Sequence, residues 1–174
     1  MAWTCVFACA TPVLLAQDAP AEYQLKAAFV SKFAEFVEWP PVALDGRDSV
    51  DLCVAEPSPF GTALRDLVAG TQLRGRTLVA REVSAPDGID TCHVLFVPAA
   101  PSLGRQAWLA RASTRPILTI GDTPGFLEDG GILNLLVVDD RIRFDVDLVA
   151  STRAGLRLSS QLLQLALHVH GGQP

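Results

Sequence analysis

The string Gly70-Thr71-Gln72-Leu73-Arg74-Gly75-Arg76-Thr77 has the glycine spacing of a phosphate-binding loop, with arginine where such loops carry lysine. That chemistry needs backbone N–H groups and a helix N-terminus aimed at the phosphates, so the loop must follow a strand and open a helix. Here the string follows a helical pattern and leads into a strand, and the nucleotide reading fails. A hydrolytic triad needs a nucleophile, a base and an orienting acid in one place, and the histidines are His93, His168 and His170. His93 opens an apolar strand, where a satisfied structural role is the ordinary one, and the other two lie at a C-terminus expected to fray. No G-x-S-x-G elbow surrounds Ser159 or Ser160. Asp139, Asp140, Asp145 and Asp147 resemble a carboxylate cluster until strand alternation is applied: the first two fall in a turn, and the others adjoin Arg143. The sequence nominates no catalytic residue and no cofactor.

The remaining reactive side chains are cysteines. Residues 1–16 carry no charge and are mostly apolar, and Gln17, Asp18 and Pro20 then change the composition abruptly, which is the pattern of a secretory signal. No Lys or Arg precedes the apolar stretch, and a cut after Ala16 would place bulky Leu14 three residues before it. A buried N-terminal helix would be interrupted by Thr4, Thr11 and Pro12, and a lipoprotein cut before Cys9 would follow only eight residues, with Phe7 large for that site. Cys5 and Cys9 fall within this segment, so its removal leaves Cys53 and Cys92. In an oxidising compartment such a pair forms a disulfide, worth about 4 kcal/mol in the chain-entropy account; two separate buried thiols are the alternative. Zinc is a poor fit, because Cys53, Cys92 and His93 supply three donors at most and lack short ligand pairs.

The elements that must position these residues follow from periodicity. Over 22–39 there is no Gly or Pro, and Leu25, Phe29, Phe33 and Phe36 form one apolar stripe with Tyr23, Ala27, Val30, Ala34 and Val37 beside it, which predicts a helix ended by Pro40 and Pro41. Glu22 and Lys26 fall inside its apolar arc; at i and i+4, with Glu first, they are suited to a partly covered ion pair or to contact with a partner. Strands are expected over 50–55, 76–83, 92–97 and 117–120, with helices through Leu64, Leu67 and Val68 and over 103–112. Such alternation predicts a mostly parallel sheet covered by helices. Residues 122–131 read as a loop, with Gly130 and Gly131 allowing a positive-φ turn. Residues 132–138 and 141–148 flank Asp139-Asp140 as a β-hairpin whose second arm lies near an edge. A helix over 150–156 broken at Gly155, then one over 159–169 capped by Ser159, complete a C-terminal helical tail.

With 174 residues, 49% hydrophobic and 19% charged, the chain fits a single α/β domain, expected over 20–171. Net charge −5 argues against nucleic acid, whose phosphates require a basic surface. After the first few residues no apolar run approaches the roughly 18 residues that cross a bilayer. On these grounds the sequence describes an exported binding domain.

Several strings, in order, resemble the YfiR family of periplasmic regulators: Glu22-Tyr23-Gln24-Leu25-Lys26-Ala27-Ala28-Phe29, Phe36-Val37-Glu38-Trp39-Pro40, Leu52-Cys53-Val54, Pro59-Phe60-Gly61 and Cys92-His93-Val94-Leu95-Phe96. They continue with Ile117-Leu118-Thr119-Ile120-Gly121-Asp122, Gly130-Gly131, Arg141-Ile142-Arg143-Phe144, Ala154-Gly155-Leu156 and Leu158-Ser159-Ser160. The resemblance implies a periplasmic domain that restrains an inner-membrane diguanylate cyclase by acting on its periplasmic sensor region, lowering cyclic di-GMP and biofilm formation. It also implies a Cys53–Cys92 disulfide. Some members carry a second cysteine pair in the later half of the chain, and this sequence has none there. For the surface that meets the cyclase we nominate Glu22, Lys26, Trp39 and Arg153. The reading accommodates a homodimer and a small-molecule ligand. The competing reading is a periplasmic small-molecule-binding accessory of an envelope uptake or sensing system.

Overall fold

The computed structural model describes residues 20–172. The expected export signal over 1–16, with Cys5 and Cys9, lies outside the described residues. Helix α1 (Ala21–Phe33) is shorter than its periodicity predicts: the chain passes through a 3-10 turn (Ala34–Phe36) into a short strand, β1 (Val37–Glu38), before the two prolines. β1 pairs antiparallel with β9 (Arg157–Leu158), a long-range partner that outweighs local helical preference. Of the two predicted stripes, the one through Ala27, Val30, Ala34 and Val37 is buried together with Phe33, while Leu25 is exposed.

After α2 (Pro41–Leu44) come β2 (Ser49–Ala55), α3 (Ala63–Val68), β3 (Gln72–Leu73), β4 (Arg76–Val83), β5 (Val94–Val97), α4 (Arg105–Ala112), β6 (Leu118–Gly121), β7 (Leu133–Val138) and β8 (Arg141–Asp147). Helix α5 (Leu148–Arg153), β9, α6 (Ser160–Leu165) and β10 (His168–His170) close the chain. The main sheet runs β10-β8-β7-β6-β5-β2-β4-β3. β4, β2, β5, β6 and β7 are parallel neighbours, whereas β3 and β8 join antiparallel and β10 lies parallel to β8. The expected mixed, mostly parallel sheet is therefore present.

Because the crossovers from β2 and β5 leave in opposite directions across the sheet, a topological switch point falls between these two strands. The central strands are buried on both faces, as parallel strands between helices must be. Leu52, Val54, Val94, Phe96, Leu118 and Ile120 pack with α1 and α3 on one face. Cys53, Ala55, Leu95 and Val97 pack with Trp108 and Leu109 of α4 and with Phe126 on the other.

The phosphate-loop look-alike is the β3–β4 hairpin, turned by Arg74 at φ 50° and Gly75 at φ 80°. The β7–β8 hairpin turns on Asp139 and Asp140, both with positive φ, a geometry that matches the right-handed strand twist. The predicted helix over 159–169 ends at Leu165; Ser159 does cap it, accepting from Leu162 N at 3.2 Å. Beyond it, His168 and His170 belong to the edge strand β10 and do not fray, because the backbone and side chain of His168 both bind Asp145 Oδ1, at 3.1 and 2.9 Å.

Gly130 has the expected positive φ, but Gly131 serves a different need. A Cβ at Gly121 or Gly131 would overlap the fully buried Phe126 ring, which the two glycines clasp from either side. Overpacking of this kind costs about 1–3 kcal/mol, so Gly131→Ala is expected to lose about 2 kcal/mol in urea denaturation. Gly88→Ala, where a Cβ meets only Val83 at 3.6 Å and φ is not positive, should change stability by less than about 1 kcal/mol.

Candidate functional site

The C-terminal ends of the parallel strands, where folds of this type bind ligands, are closed by the chain itself. Ser102, in the segment after β5, donates from both its N–H and its hydroxyl to the Glu56 carbonyl just after β2, each at 2.9 Å. Above β5, Phe96 meets Phe60 edge-on with ring centroids 4.7 Å apart, and Phe60 meets Tyr23 of α1 at 5.7 Å. The first turns of α1 thus lie across the switch point.

Four polar side chains seal this contact. Lys26 Nζ reaches Glu22 Oε1 at 2.6 Å and Asp122 Oδ2 at 2.7 Å, and the Tyr23 hydroxyl donates to the same Asp122 oxygen at 2.9 Å. Lys26 also stands over the Tyr23 ring, 4.5 Å from its centroid, as a cation–π contact. The Lys26 and Asp122 side chains are 4% and 2% exposed, whereas Glu22 remains 49% exposed. Burial pulls the Lys26 ammonium down, but hydrogen bonds to Asp122 and Glu22 outweigh it and its pKa is raised. Burial, reinforced by the hydrogen bond to Asp122, pushes the Tyr23 phenol up to about 12.

Sequence periodicity finds the Glu22–Lys26 pair but misses Asp122, which lies 96 residues from Lys26. The available signal is its position, immediately after β6 on the rim where a doubly wound sheet places its functional side chains. Asp122 Oδ1 has no hydrogen-bond partner among the described residues.

The other nominated residues have partners of their own. Trp39 is 7% exposed and meets His93 edge-on at 6.1 Å, with its indole Nε1 buried and unpartnered among the described residues. His93 Nδ1 accepts from the Asp51 N–H at 3.0 Å, so Nε2 carries the proton and donates to the Ala43 carbonyl at 3.1 Å. Burial lowers its pKa, against the pull of that carbonyl. With both ring nitrogens committed, His93 is structural, as the sequence suggests. Arg153 is exposed, with its guanidinium above Gly130. Of the four nominees, Glu22 and Arg153 therefore present surface, while Lys26 and Trp39 are buried.

Cys53 of β2 and Cys92, just before β5, form a disulfide with Cα atoms 5.8 Å apart, and Arg81 Nη2 lies 3.3 Å from Cys92 Sγ. Among the described residues no group of three or more His, Cys, Asp or Glu is arranged to hold a metal, and no helix is long and apolar enough to cross a membrane.

The chain is a doubly wound α/β domain whose first helix packs its own side chains across the switch-point rim. Residues 23–167 match the YfiR/HmsC-like family, and the chain belongs to it. Members of that family are periplasmic regulators in cyclic di-GMP signalling. The fold is similar to that of a conserved domain protein from Vibrio cholerae O1 biovar El Tor (TM-score 0.54, 12% identity, covering 82% of this chain and 59% of that one). It is also similar to the ABC domain from Streptococcus pneumonia solved in complex with L-Trp (TM-score 0.53, 10% identity, 84% of this chain and 60% of that one). The chain thus spans about three fifths of the length of each, and the likeness is one of fold.

Breaking a buried pair leaves its partner charge uncompensated, at about 3–5 kcal/mol; Lys26→Met should lose stability of that order in denaturant. Glu22→Gln, at the half-exposed end, should lose less than about 1 kcal/mol. Tyr23 is the single tyrosine, so phenolate absorbance reports it alone. In alkaline titration of the folded chain its midpoint should stand near 12 rather than 10. Because the folded pKa is the higher one, the stability it contributes is complete below pH 10 and lost as pH rises through about 12.

Proposed function

We propose that this domain restrains an inner-membrane diguanylate cyclase by binding its periplasmic sensor region, lowering cyclic di-GMP and biofilm formation. The observation that carries the reading is family membership across 23–167. Two features support it. The disulfide suits an oxidising compartment, and the C-terminal rim is filled by side chains of α1, leaving the outer surface to act. A binder that prefers the inactive state of a receptor suppresses it by its difference in affinity for the two states, and no chemistry on the receptor is required.

The contacts fall to exposed Glu22 and Arg153; buried Lys26 fixes Glu22 through their ion pair, and buried Trp39 packs on His93 in the core. Reduction of Cys53–Cys92 would loosen the fold and lower the competent fraction, relieving restraint. The second reading, a small-molecule-binding accessory, draws its support from a cavity at the opposite rim of the sheet.

Deleting the gene should raise cyclic di-GMP, and the wild-type chain should co-purify with the periplasmic region of the cyclase while Arg153→Glu, on the exposed face, reduces capture. Unchanged cyclic di-GMP after deletion would overturn the reading.

A further inference from the structure

At the N-terminal rim of the sheet, opposite the rim that α1 seals, a cavity of about 300 Å³ opens between α2, the segment leading into β5 and the segment leading into β6. That volume is at the lower end of the range that holds small organic ligands. Its walls divide by chemistry. Val42, Ala43, Pro116 and Ile117 supply apolar surface, and Cys92 places one end of the disulfide in the lining. Arg47 and Arg115 supply two guanidinium groups against one carboxylate, Asp90.

That carboxylate is already engaged. Asp90 Oδ1 accepts from Arg111 Nη2 at 2.7 Å and lies 3.3 Å from Arg115 Nε. Arg115 also donates from Nη1 to the Arg111 carbonyl at 2.6 Å, which leaves its Nη2 uncommitted among the described residues. The guanidinium of Arg47 has no hydrogen bond or ion pair among the described residues, and it acts electrostatically on the His93 ring. Among the lining side chains the arginines thus outnumber the carboxylates, in a chain of net charge −5. His93 lines the cavity as a neutral ring with both nitrogens occupied, so the site holds no free acid or base. Guanidinium groups with open N–H donors beside an apolar wall suit a planar anion attached to a hydrophobic body.

We propose that this cavity is a binding site for a small organic carboxylate with an apolar body, its carboxylate held by Arg47 and Arg115 and its body lying against Val42, Pro116 and Ile117. The site is separate from Glu22 and Arg153 and does not depend on the cyclase reading. An occupant would touch Cys92 and His93, and through His93 the buried Trp39.

The test uses the oxidised wild-type chain with phenylacetate, phenylacetamide, acetate and inorganic phosphate as probes, read by calorimetry and by chemical shifts of backbone amides. Phenylacetate is expected to bind, with shifts confined to the segments around Ala43, Thr91 and Pro116, and phenylacetamide about tenfold more weakly, the scale of one lost charge-assisted contact. Arg47→Gln should lower phenylacetate affinity about tenfold and leave phenylacetamide unchanged. Val42→Asp, which places a negative charge at the exposed mouth and removes part of the apolar wall, should weaken phenylacetate more than phenylacetamide without touching the core, so a folding defect in one variant does not decide the result. Arg153→Gln should bind phenylacetate as wild type does. Equal affinity for acid and amide, acetate or phosphate binding as tightly as phenylacetate, shifts elsewhere, or no binding at millimolar concentration would each overturn the proposal.

Discussion

An ammonium and a carboxylate, both removed from water, hold the first helix to the end of the sheet. Taking two such charges out of solvent is costly, and their attraction offsets the cost only when the geometry is good and further hydrogen bonds satisfy what remains. Lys26 meets that condition with two carboxylates and an aromatic face; Asp122 meets it at Oδ2, which takes the ammonium and the phenol, while its Oδ1 has no partner among the described residues. The arrangement fixes where α1 lies by bringing Lys26 and Tyr23 together onto Asp122. Most other features of the C-terminal rim, including the Tyr23–Phe60–Phe96 ring series, depend on that docking.

This constraint has a functional side. In doubly wound folds the crevice beyond the strand ends is the ordinary ligand site, and here the chain occupies it with its own side chains. The disulfide lies on the second face of the sheet, tying β2 to the segment that enters β5 and so bracing the walls of the Arg47–Arg115 cavity. Glu22 and the cavity thus lie at opposite ends of one sheet.

The glycines of the β6–β7 connection make a related point about packing. Phe126 fills the second core from a segment with no regular structure, and it does so because Gly121 and Gly131 let the backbone approach both sides of its ring. The aromatic ring thus supplies core packing from a β6–β7 connection that contains no helix. Arg105 reinforces it by binding Asp129 and Thr123, at 2.7 and 2.8 Å.

Periodicity alone determined the strands at 50–55 and 76–83, the Asp139-Asp140 hairpin, the Ser159 cap and the Glu22–Lys26 pair, because each rests on contacts between near neighbours or on burial of a repeating face. Cys53 and Cys92, the two cysteines among the described residues, are joined to each other. Tertiary structure decided what local pattern could not. The helix expected to run to Trp39 yields to a strand because β9 supplies a distant partner, and the expected final helix yields to β10 because β8 offers an open edge. Asp122 becomes the partner of Lys26 only when the sheet brings residues 96 positions apart into contact. Trp39 and Lys26, read as surface candidates, are buried for the same reason: exposure is a property of what packs on a residue, and the packing partners come from elsewhere in the chain.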